Sequence, residues 1–224
     1  RMPRDDRAGA MSDLTLHGYW RASASYRVRI ALALKGVDYA QVAHDLRSGA
    51  QRAPDYQALA PQGLVPALAD GDSVLTQSGA ILEWIEARWP QPPLLPADPG
   101  DAAIVRAMAG IIACDIHPLG NLRVLQALRQ DFGARENQVR AWIGRWTGEG
   151  LAALETLVAR HGGTHAFGDS PSFADCHIVP QLYNARRFGV DLTPFPRLCA
   201  VDAVACALPA FAAAHPDRQP DADI

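Results

Sequence analysis

The sequence lacks the features that mark several large classes of protein. None of its apolar runs approaches the roughly 20 residues that a membrane helix needs. Its 21 lysines and arginines are outnumbered by 24 aspartates and glutamates, so the chain offers no basic field to nucleic acid or to an anionic membrane. We therefore expect neither nucleic acid nor a membrane among its partners.

Signatures of nucleotide binding, zinc proteolysis and serine hydrolysis are missing as well. The chain contains no GxGxxG, GxxxxGKS/T, HExxH or GxSxG motif. His161 and His165 bracket a glycine turn, which accounts for them as solvated imidazoles. No third ligand is evident near Asp115 and His117, so we predict no metal site.

Cysteine is scarce and forms no CxxC pair among its four positions, Cys114, Cys176, Cys199 and Cys206. A chain of 224 residues can bury enough core to stand without disulfides, so we expect reduced thiols in a cytoplasmic protein. We interpret Cys199 and Cys206 as buried structural thiols.

What is present indicates a folded globular chain. Hydrophobic residues make up 49% of the sequence and charged residues 20%, and the length fits one large or two small domains. The first ten residues are polar and lack the apolar core of a signal peptide. We expect residues 1–11 to be a disordered or leader segment, with Met11 as the natural start.

The first half of the chain alternates between short strands and helices. Strands are predicted at residues 14–17, 39–46, 65–68 and 74–77. A helix is predicted at residues 26–35, ended by Gly36, and another at 78–89, capped by the Ser78 hydroxyl. The order is βαβ followed by ββα, which predicts a four-stranded sheet with helices on its faces.

A proline-rich stretch, PQPPLLPADP at residues 90–99, is predicted to be a stiff linker because proline fixes φ and has no N–H. Beyond it, helical spacing predicts helices over residues 102–128, 136–160, 172–188 and 197–207. Ser172 and Asp175 form a capping-box pattern, which we interpret as structural rather than catalytic. We therefore predict an α/β domain at residues 12–95 and an all-α domain at residues 96–224.

Three local features of the first half indicate binding. Val65-Pro66 is expected to be a cis pair that leaves the Val65 backbone facing a groove, able to pair with an extended peptide. Gln77 and Ser78 would offer an amide, a hydroxyl and a helix N-terminus to a small carboxylate. The start of the first helix, at residues 22–25, would offer a second positive end, where a thiolate could lie.

Together these features resemble the cytosolic glutathione transferases, in which a thioredoxin-like α/β domain precedes an all-helical domain. The segment RASASYRVRIAL at residues 21–32 is similar to the zeta-class signature SSCxxRVRIAL. Further motifs match bacterial zeta-class members that isomerise maleylacetoacetate or maleylpyruvate, namely DIHP at 115–118, FGD at 167–169, VPQ at 179–181, RF at 187–188 and VDLTP at 190–194. The resemblance runs from about Leu14 to Gln219.

The sequence departs from this family at one triplet. Ala22, Ser23 and Ala24 stand where the family has Ser-Ser-Cys, so the serine that faces the glutathione sulfur is replaced by Ala22. Either Ser23, Ser25 or the backbone N–H groups of the helix take over, or the chemistry is slower than in the family. We predict Ser23, Arg21 and Ser25 as catalytic residues, with Ser23 or the backbone favoured over Ser25.

The resemblance implies two further sets of site residues. The glutathione-binding set is Gln51, Gln62, Val65, Gln77, Ser78, Asp115, His117 and Asn121. The substrate-binding set is Arg21, Arg123 and Arg187, whose planar guanidinium groups suit carboxylates.

Three functions are open at this point. The resemblance implies a glutathione-dependent cis–trans isomerase of maleylacetoacetate or maleylpyruvate in aromatic catabolism, in which a thiolate adds to the double bond, the bond rotates and elimination returns glutathione. A transferase that conjugates or dehalogenates small electrophiles is the second, and a glutathione-binding protein with little catalysis, suggested by Ala22 and Ala24, is the third. The three arginines favour a small dicarboxylic dioxo acid and hence the isomerase, and the family implies a homodimer.

Overall fold

The computed structural model describes residues 14–223, so the segment expected at residues 1–11 lies outside the described residues. The first half contains strands β1 (Leu14–Gly18), β2 (Ala40–Ala43), β3 (Ala67–Asp70) and β4 (Ser73–Thr76), with helices α1 (Ser23–Leu34), α2 (Pro54–Leu59) and α3 (Ser78–Arg88). The sheet order is β2-β1-β3-β4, with β1 parallel to β2 and the other neighbours antiparallel. The predicted order of elements is confirmed.

Two strands are shorter than their sequence patterns suggested. Strand β2 ends at Ala43, after which the His44 N–H donates to the Gly18 carbonyl at 2.8 Å and the chain turns. Strand β3 begins at Ala67, because Pro66 has no N–H to donate to the ladder. Both differences place residues 44–66 in loops and short helices at one edge of the sheet.

The second half is helical and contains α4 (Pro99–Gly110), α5 (Leu122–Gln130), α6 (Glu136–His161), α7 (Phe173–Arg187), α8 (Pro196–Ala207) and α9 (Pro209–Ala214). The capping box at α7 is present, since Ser172 Oγ accepts the Ala174 N–H at 3.2 Å and Asp175 accepts the Ser172 N–H at 2.8 Å. The fold class, a thioredoxin-like α/β part followed by an all-helical part, is confirmed. The domain boundary between residues 95 and 96 stays a prediction.

The single helix expected over residues 102–128 was wrong, because the chain breaks it in two. After α4 the backbone widens into a π-helical segment (Ile111–Ile116), and a loop follows before α5. Pro118 has no N–H to continue a helix, and Asn121 caps α5 by accepting the Arg123 N–H at 3.2 Å. The break places His117 and Asn121 on a loop instead of inside a helix.

The two halves share one hydrophobic core. Its largest cluster joins Val28 of α1 and Ile81 of α3 to Ile178 of α7 and Phe211 of α9. Helix α1 packs against α3, α7 and α9, and it is buried along its length from Ser23 to Leu32. Its position between the halves sets where its N-terminus opens.

The proline-rich linker is held against the first half by a buried ion pair. Glu86 of α3 pairs with Lys35 at 2.6 Å, and the same carboxylate accepts the Leu94 N–H at 3.0 Å. These contacts hold Leu94, which lies in the linker, against α3 of the first half.

The cysteines differ in burial. All four are unpaired, but Cys176 alone of them is buried, whereas Cys114 is exposed and Cys199 and Cys206 are half-buried. The interpretation of the last two as buried thiols was wrong, because α8 packs on α6, α7 and α9 and leaves part of its surface to solvent. Within residues 14–223, no helix has both the length and the apolar character that spanning a membrane requires.

Candidate active site

A cleft of about 600 Å³ lies between the two halves. The first half lines it with the β1–α1 loop, the start of α1 and residues 46–65, and the second half with residues 116–129 and parts of α6 and α7. The predicted site residues on its surface are Arg21, Ser23, Gln51, Gln62, Val65, His117, Asn121, Arg123 and Arg187.

Ser23 lies at the point where α1 opens onto the cleft. It is the first residue of the helix and 4% exposed, and its neighbours Ala22 and Ala24 line the cleft as well. Its hydroxyl has no hydrogen-bond partner within the described residues, and no side chain caps the helix. An anion bound here would meet a free hydroxyl and the positive end of a helix.

Gln51 presents a second unsatisfied atom on the same wall. The residue is 7% exposed, and its Oε1 is buried without a partner in the part of the chain that the structure describes. A buried acceptor left unpaired costs free energy, so this atom favours a ligand that carries a hydrogen-bond donor. Val65 lies on the same wall, and its peptide bond to Pro66 is cis, as predicted.

The polar pair at the start of α3 is joined to this wall through Gln62. Gln77 adopts a φ of 68°, a left-handed conformation that residues other than glycine rarely adopt, and its amide donates to Gln62 Oε1 at 2.5 Å. Ser78 is the first residue of α3 and not its cap, which was predicted wrongly. Its Oγ accepts from Arg27 Nη1 at 3.1 Å, so the hydroxyl proton is still available to a ligand.

Four predicted site residues do not reach the cleft surface: Ser25, Gln77, Ser78 and Asp115. Ser25 is fully buried and its Oγ accepts the Tyr19 N–H at 3.4 Å, so its side chain points back toward β1. Asp115 is exposed on the π-helical segment. A site role for these four stays a prediction.

The helical wall carries His117, Asn121 and Arg123 on the loop and first turn that follow the π-helical segment. Burial, reinforced by the Arg27 guanidinium, lowers the pKa of His117 to about 3. The imidazole is therefore neutral at pH 7 and can donate or accept one hydrogen bond toward the cleft.

Arg21 and Arg187 bring two cations together across the cleft. Arg187 ends α7 and lies over the Phe188 ring at 4.3 Å, while Arg21 lies over the Trp20 ring at 5.3 Å. Partial burial and, secondarily, the charge of Arg21 lower the pKa of Arg187. Because the two positive charges repel, a carboxylate placed between them would relieve the repulsion.

The side chains that line the cleft include positive charges but no negative ones. Its lining contains Arg21, Arg47, Arg52, Arg123, Arg129 and Arg187 but no aspartate or glutamate. Arg47 pairs with Asp45 and Asp223 and Arg129 with Glu136, whereas the three predicted substrate-binding arginines have no carboxylate partner within residues 14–223. The geometry thus offers unpaired cations to a ligand with more than one negative charge.

Sequence reasoning missed several lining residues, among them Tyr19, Thr147, Gln181 and Asn184. Gln181 is 2% exposed with Oε1 unpaired among the described residues, and it shares one face of α7 with Asn184 and Arg187. Its motif, VPQ, was noted without a role, and the spacing of three residues to Asn184 and again to Arg187 was the available signal.

Comparison with known proteins places these observations in a family. Residues 12–87 match the glutathione S-transferase N-terminal domain. The chain is 52% identical over 211 residues to maleylacetoacetate isomerase of Pseudomonas aeruginosa, covering 93% of this chain and 98% of that protein. The chain belongs to the zeta class of the glutathione transferases.

Solved structures of similar proteins superpose on most of the chain. The holo structure of a maleylpyruvate isomerase, described as a bacterial glutathione transferase of the zeta class, superposes with a TM-score of 0.92 at 49% identity, covering 93% of this chain and all of that one. Maleylacetoacetate isomerase of Methylobacterium extorquens AM1, solved with bound malonate and glutathione, superposes with a TM-score of 0.90 at 39% identity, covering 94% of this chain and all of that one.

The described residues offer no ligand set for a metal ion. Within residues 14–223, no group of three or more histidine, cysteine, aspartate or glutamate side chains comes together. The polar atoms of the glutathione transferase cleft are hydroxyl, amide, imidazole and guanidinium groups.

Proposed function

We propose that this zeta-class chain is a glutathione-dependent cis–trans isomerase that converts maleylacetoacetate to fumarylacetoacetate or maleylpyruvate to fumarylpyruvate. The observation that carries the proposal is that one cleft combines unsatisfied polar atoms at Ser23 and Gln51 with three arginines, at positions 21, 123 and 187, that have no carboxylate partner among the described residues. The names of the relatives at 52% and 49% identity support the same reaction.

Glutathione fits the unsatisfied polar atoms. Gln51 Oε1 needs a donor and Ser23 Oγ needs a partner, and glutathione carries an ammonium group, amide N–H groups and a thiol. Gln62, Val65, Gln77 and Ser78 complete the proposed binding set from the sheet half, and His117 and Asn121 add to it from the helical half. Asp115 belongs to this proposal by family resemblance alone.

When bound, glutathione supplies a thiolate that adds to the substrate double bond and leaves again after rotation. Ser23 is proposed to donate its O–H to the sulfur, which favours the ionised form and orients it. The N-terminus of α1 adds positive potential at the same place. Ala22 and Ala24 contribute no polar side chain, so this hydroxyl and the helix backbone carry the task.

The arginines are proposed to hold the substrate. A maleyl dioxo acid carries two carboxylates, and Arg21, Arg123 and Arg187 present planar donors to them from both sides of the cleft. The malonate bound in the M. extorquens relative is a dicarboxylate too. Two carboxylates in the substrate would match the three unpaired arginines of a lining that contains no acidic residue.

A homodimer in the cytoplasm is part of the same proposal. Family resemblance supports the dimer and the four unpaired cysteines suit a reducing compartment. Sedimentation at micromolar concentration should give a species of twice the monomer mass, and a single monomeric species would contradict the dimer.

The function is tested by binding and by a substrate panel. Calorimetric titration should show glutathione binding below millimolar concentration. Rates should then be compared for maleylacetoacetate, maleylpyruvate, dichloroacetate and a chlorinated nitrobenzene, with isomerisation of one maleyl acid at least about 100-fold faster than reaction with either electrophile. Faster dehalogenation or conjugation would establish the alternative transferase, and binding without turnover would establish a glutathione-binding protein.

A further inference from the structure

The β1–α1 loop positions two residues of the proposed site. Arg21 lies in this loop and Ser23 follows it as the first residue of α1, and both line the cleft, so their positions depend on the backbone of residues 19–22. Within the loop, the Ala22 N–H donates to the Tyr19 carbonyl at 3.0 Å. That single turn bond leaves the peptide groups on both sides of Trp20 to be satisfied from elsewhere in the chain.

Both groups of Trp20 are held by residues near the C-terminus or by a side chain anchored there. The Trp20 N–H donates to Asp221 Oδ2 at 2.9 Å, across 201 positions of sequence. The Trp20 carbonyl accepts from Arg29 Nη2 at 2.7 Å, and Arg29 Nε donates to the Ala214 carbonyl at 3.0 Å. The loop is thus clamped from its N–H side and from its carbonyl side.

The tail that carries Asp221 is itself anchored. The Gln219 amide donates to the carbonyls of Ala213 and His215, at 3.1 and 2.9 Å, and the Ala222 N–H donates back to Gln219 at 3.0 Å. Asp221 also accepts from the Gln41 amide of β2 at 3.2 Å. The carboxylate therefore bridges the tail, the sheet edge and the loop.

Asp223 provides an internal contrast. It pairs with Arg47 at 2.5 Å, but both side chains are about half exposed, and surface ion pairs of this kind contribute little. Asp223 makes no hydrogen bond to the β1–α1 loop among the described residues, whereas Asp221, two residues earlier, holds its backbone.

We propose that Asp221 is a positioning residue for the proposed reaction, through which residues 219–223 fix the β1–α1 loop that carries Arg21 and leads into Ser23. Residues 219–223 then influence the geometry of the cleft although they do not line it. This inference rests on the proposed function for its catalytic consequence, but its structural content can be tested without substrate.

The test compares Asp221→Ala, Asp221→Asn and Asp223→Ala in the full chain. Amide hydrogen exchange of the peptide covering residues 19–25 should speed up by about tenfold in Asp221→Ala, less in Asp221→Asn, which keeps an acceptor, and not in Asp223→Ala. The kcat/KM of isomerisation should fall by about tenfold in Asp221→Ala, while glutathione affinity stays within about twofold, because Gln51 and Val65 do not depend on the loop.

Unchanged exchange at residues 19–25 in both Asp221 variants would overturn the proposal, and so would equal effects of Asp221→Ala and Asp223→Ala. If Asp221→Ala does not fold, Asp221→Asn carries the comparison with Asp223→Ala. A wild-type chain that isomerises neither maleyl acid would overturn the proposed function instead. The exchange result would still test whether Asp221 holds the β1–α1 loop.

Discussion

Two sets of groups in the cleft differ in what they offer a ligand. The first set is uncharged and lies in the first half of the chain: a hydroxyl, two amides and the main chain, at Ser23, Gln51, Gln62 and Val65. The second set is charged and comes from both halves, with Arg21 from the first half and Arg123 and Arg187 from the second. Ser23 and Gln51 are buried and therefore held in place, whereas long arginine side chains adapt to the shape of the ligand.

The difference indicates a division of labour. A few fixed atoms without partners suit a ligand that never changes, which is the proposed role of glutathione. Unpaired cations suit the recognition of charge in a second ligand, the proposed dicarboxylate. Variants at these arginines should therefore change the handling of substrate, and variants at the uncharged groups should change the thiol.

The largest effect is expected from Arg187→Met. Losing a two-pronged contact to a carboxylate should cost about 2–3 kcal/mol, or roughly 30- to 150-fold in kcat/KM for the maleyl acid. Glutathione affinity should stay close to wild type, and Arg187→Lys should recover part of the loss. Steady-state kinetics with calorimetry of glutathione measures both quantities.

Arg145→Met is the matched control, because Arg145 carries the same charge but pairs with Glu149 on the outer surface of α6. Its kcat/KM should remain at the wild-type level. An Arg187→Met variant with a kcat/KM within threefold of wild type would contradict this division between charged and uncharged groups. Loss of glutathione affinity in the same variant would contradict it as well.

A smaller effect on turnover is expected from Ser23→Ala, which removes one of the uncharged groups. Removing the hydroxyl should lower turnover by about 5- to 30-fold with glutathione affinity nearly intact, since one hydrogen bond to a charged sulfur is lost. The pH dependence of the rate should move upward, because the bound thiol becomes harder to ionise. Rate against pH at saturating substrate provides the measurement.

Ser25→Ala is the control for this change, because its hydroxyl points back to the Tyr19 N–H. Silence of Ser23→Ala, together with faster turnover in Ala22→Ser, would show that the helix backbone carries the thiolate. A loss at Ser25 and not at Ser23 would assign the role to the deeper hydroxyl.

The smallest effect at neutral pH is expected on the free energy of unfolding, through His177 of α7. This effect grows as the pH falls. Burial, reinforced by the Arg27 charge, lowers the pKa of His177 to about 3 from 6.5. The native state therefore binds fewer protons than the unfolded state below pH 6.5, so this residue makes the chain lose stability as pH falls. The slope approaches about 1.4 kcal/mol per pH unit between these values.

His177→Gln should flatten the dependence of the unfolding free energy on pH between 6.5 and 5, measured by urea titration. The His177 Nδ1 donates to the Phe173 carbonyl at 2.7 Å, a bond that the glutamine amide can replace. An identical slope in wild type and His177→Gln would show that acid sensitivity arises elsewhere.

Much of the local structure could be predicted from the sequence. Most strand and helix patterns, the Ser172 and Asp175 capping box and the Val65-Pro66 cis bond depend on a few residues each, and the structure has them. The zeta-class resemblance supplied the candidate arginines, and all three line the cleft. The local predictions succeeded because the forces that decide them lie within one turn or one strand, whereas the substrate-binding role of the arginines stays a prediction.

The break in the long helix was not predicted, although its local signals were present. Pro118 and Asn121 stop and restart a helix, but the apolar spacing of residues 102–128 continues through them. The pattern shows which side faces the core and not whether the axis is continuous, because both halves of a broken helix can bury the same side. This break brings His117 and Asn121 to the cleft.

What the sequence determined by itself was the kind of each element, the two-part fold and the types of side chain available for binding. The tertiary structure decided which hydroxyl has no hydrogen-bond partner: Ser23 Oγ has none among the described residues, while Ser25 Oγ accepts from the Tyr19 N–H and Ser78 Oγ accepts from Arg27. It also joined Trp20 to Asp221 across 201 positions. Such pairings depend on packing between distant segments, because a hydrogen bond satisfies whichever polar group the folded core brings within reach, and no local pattern encodes that choice.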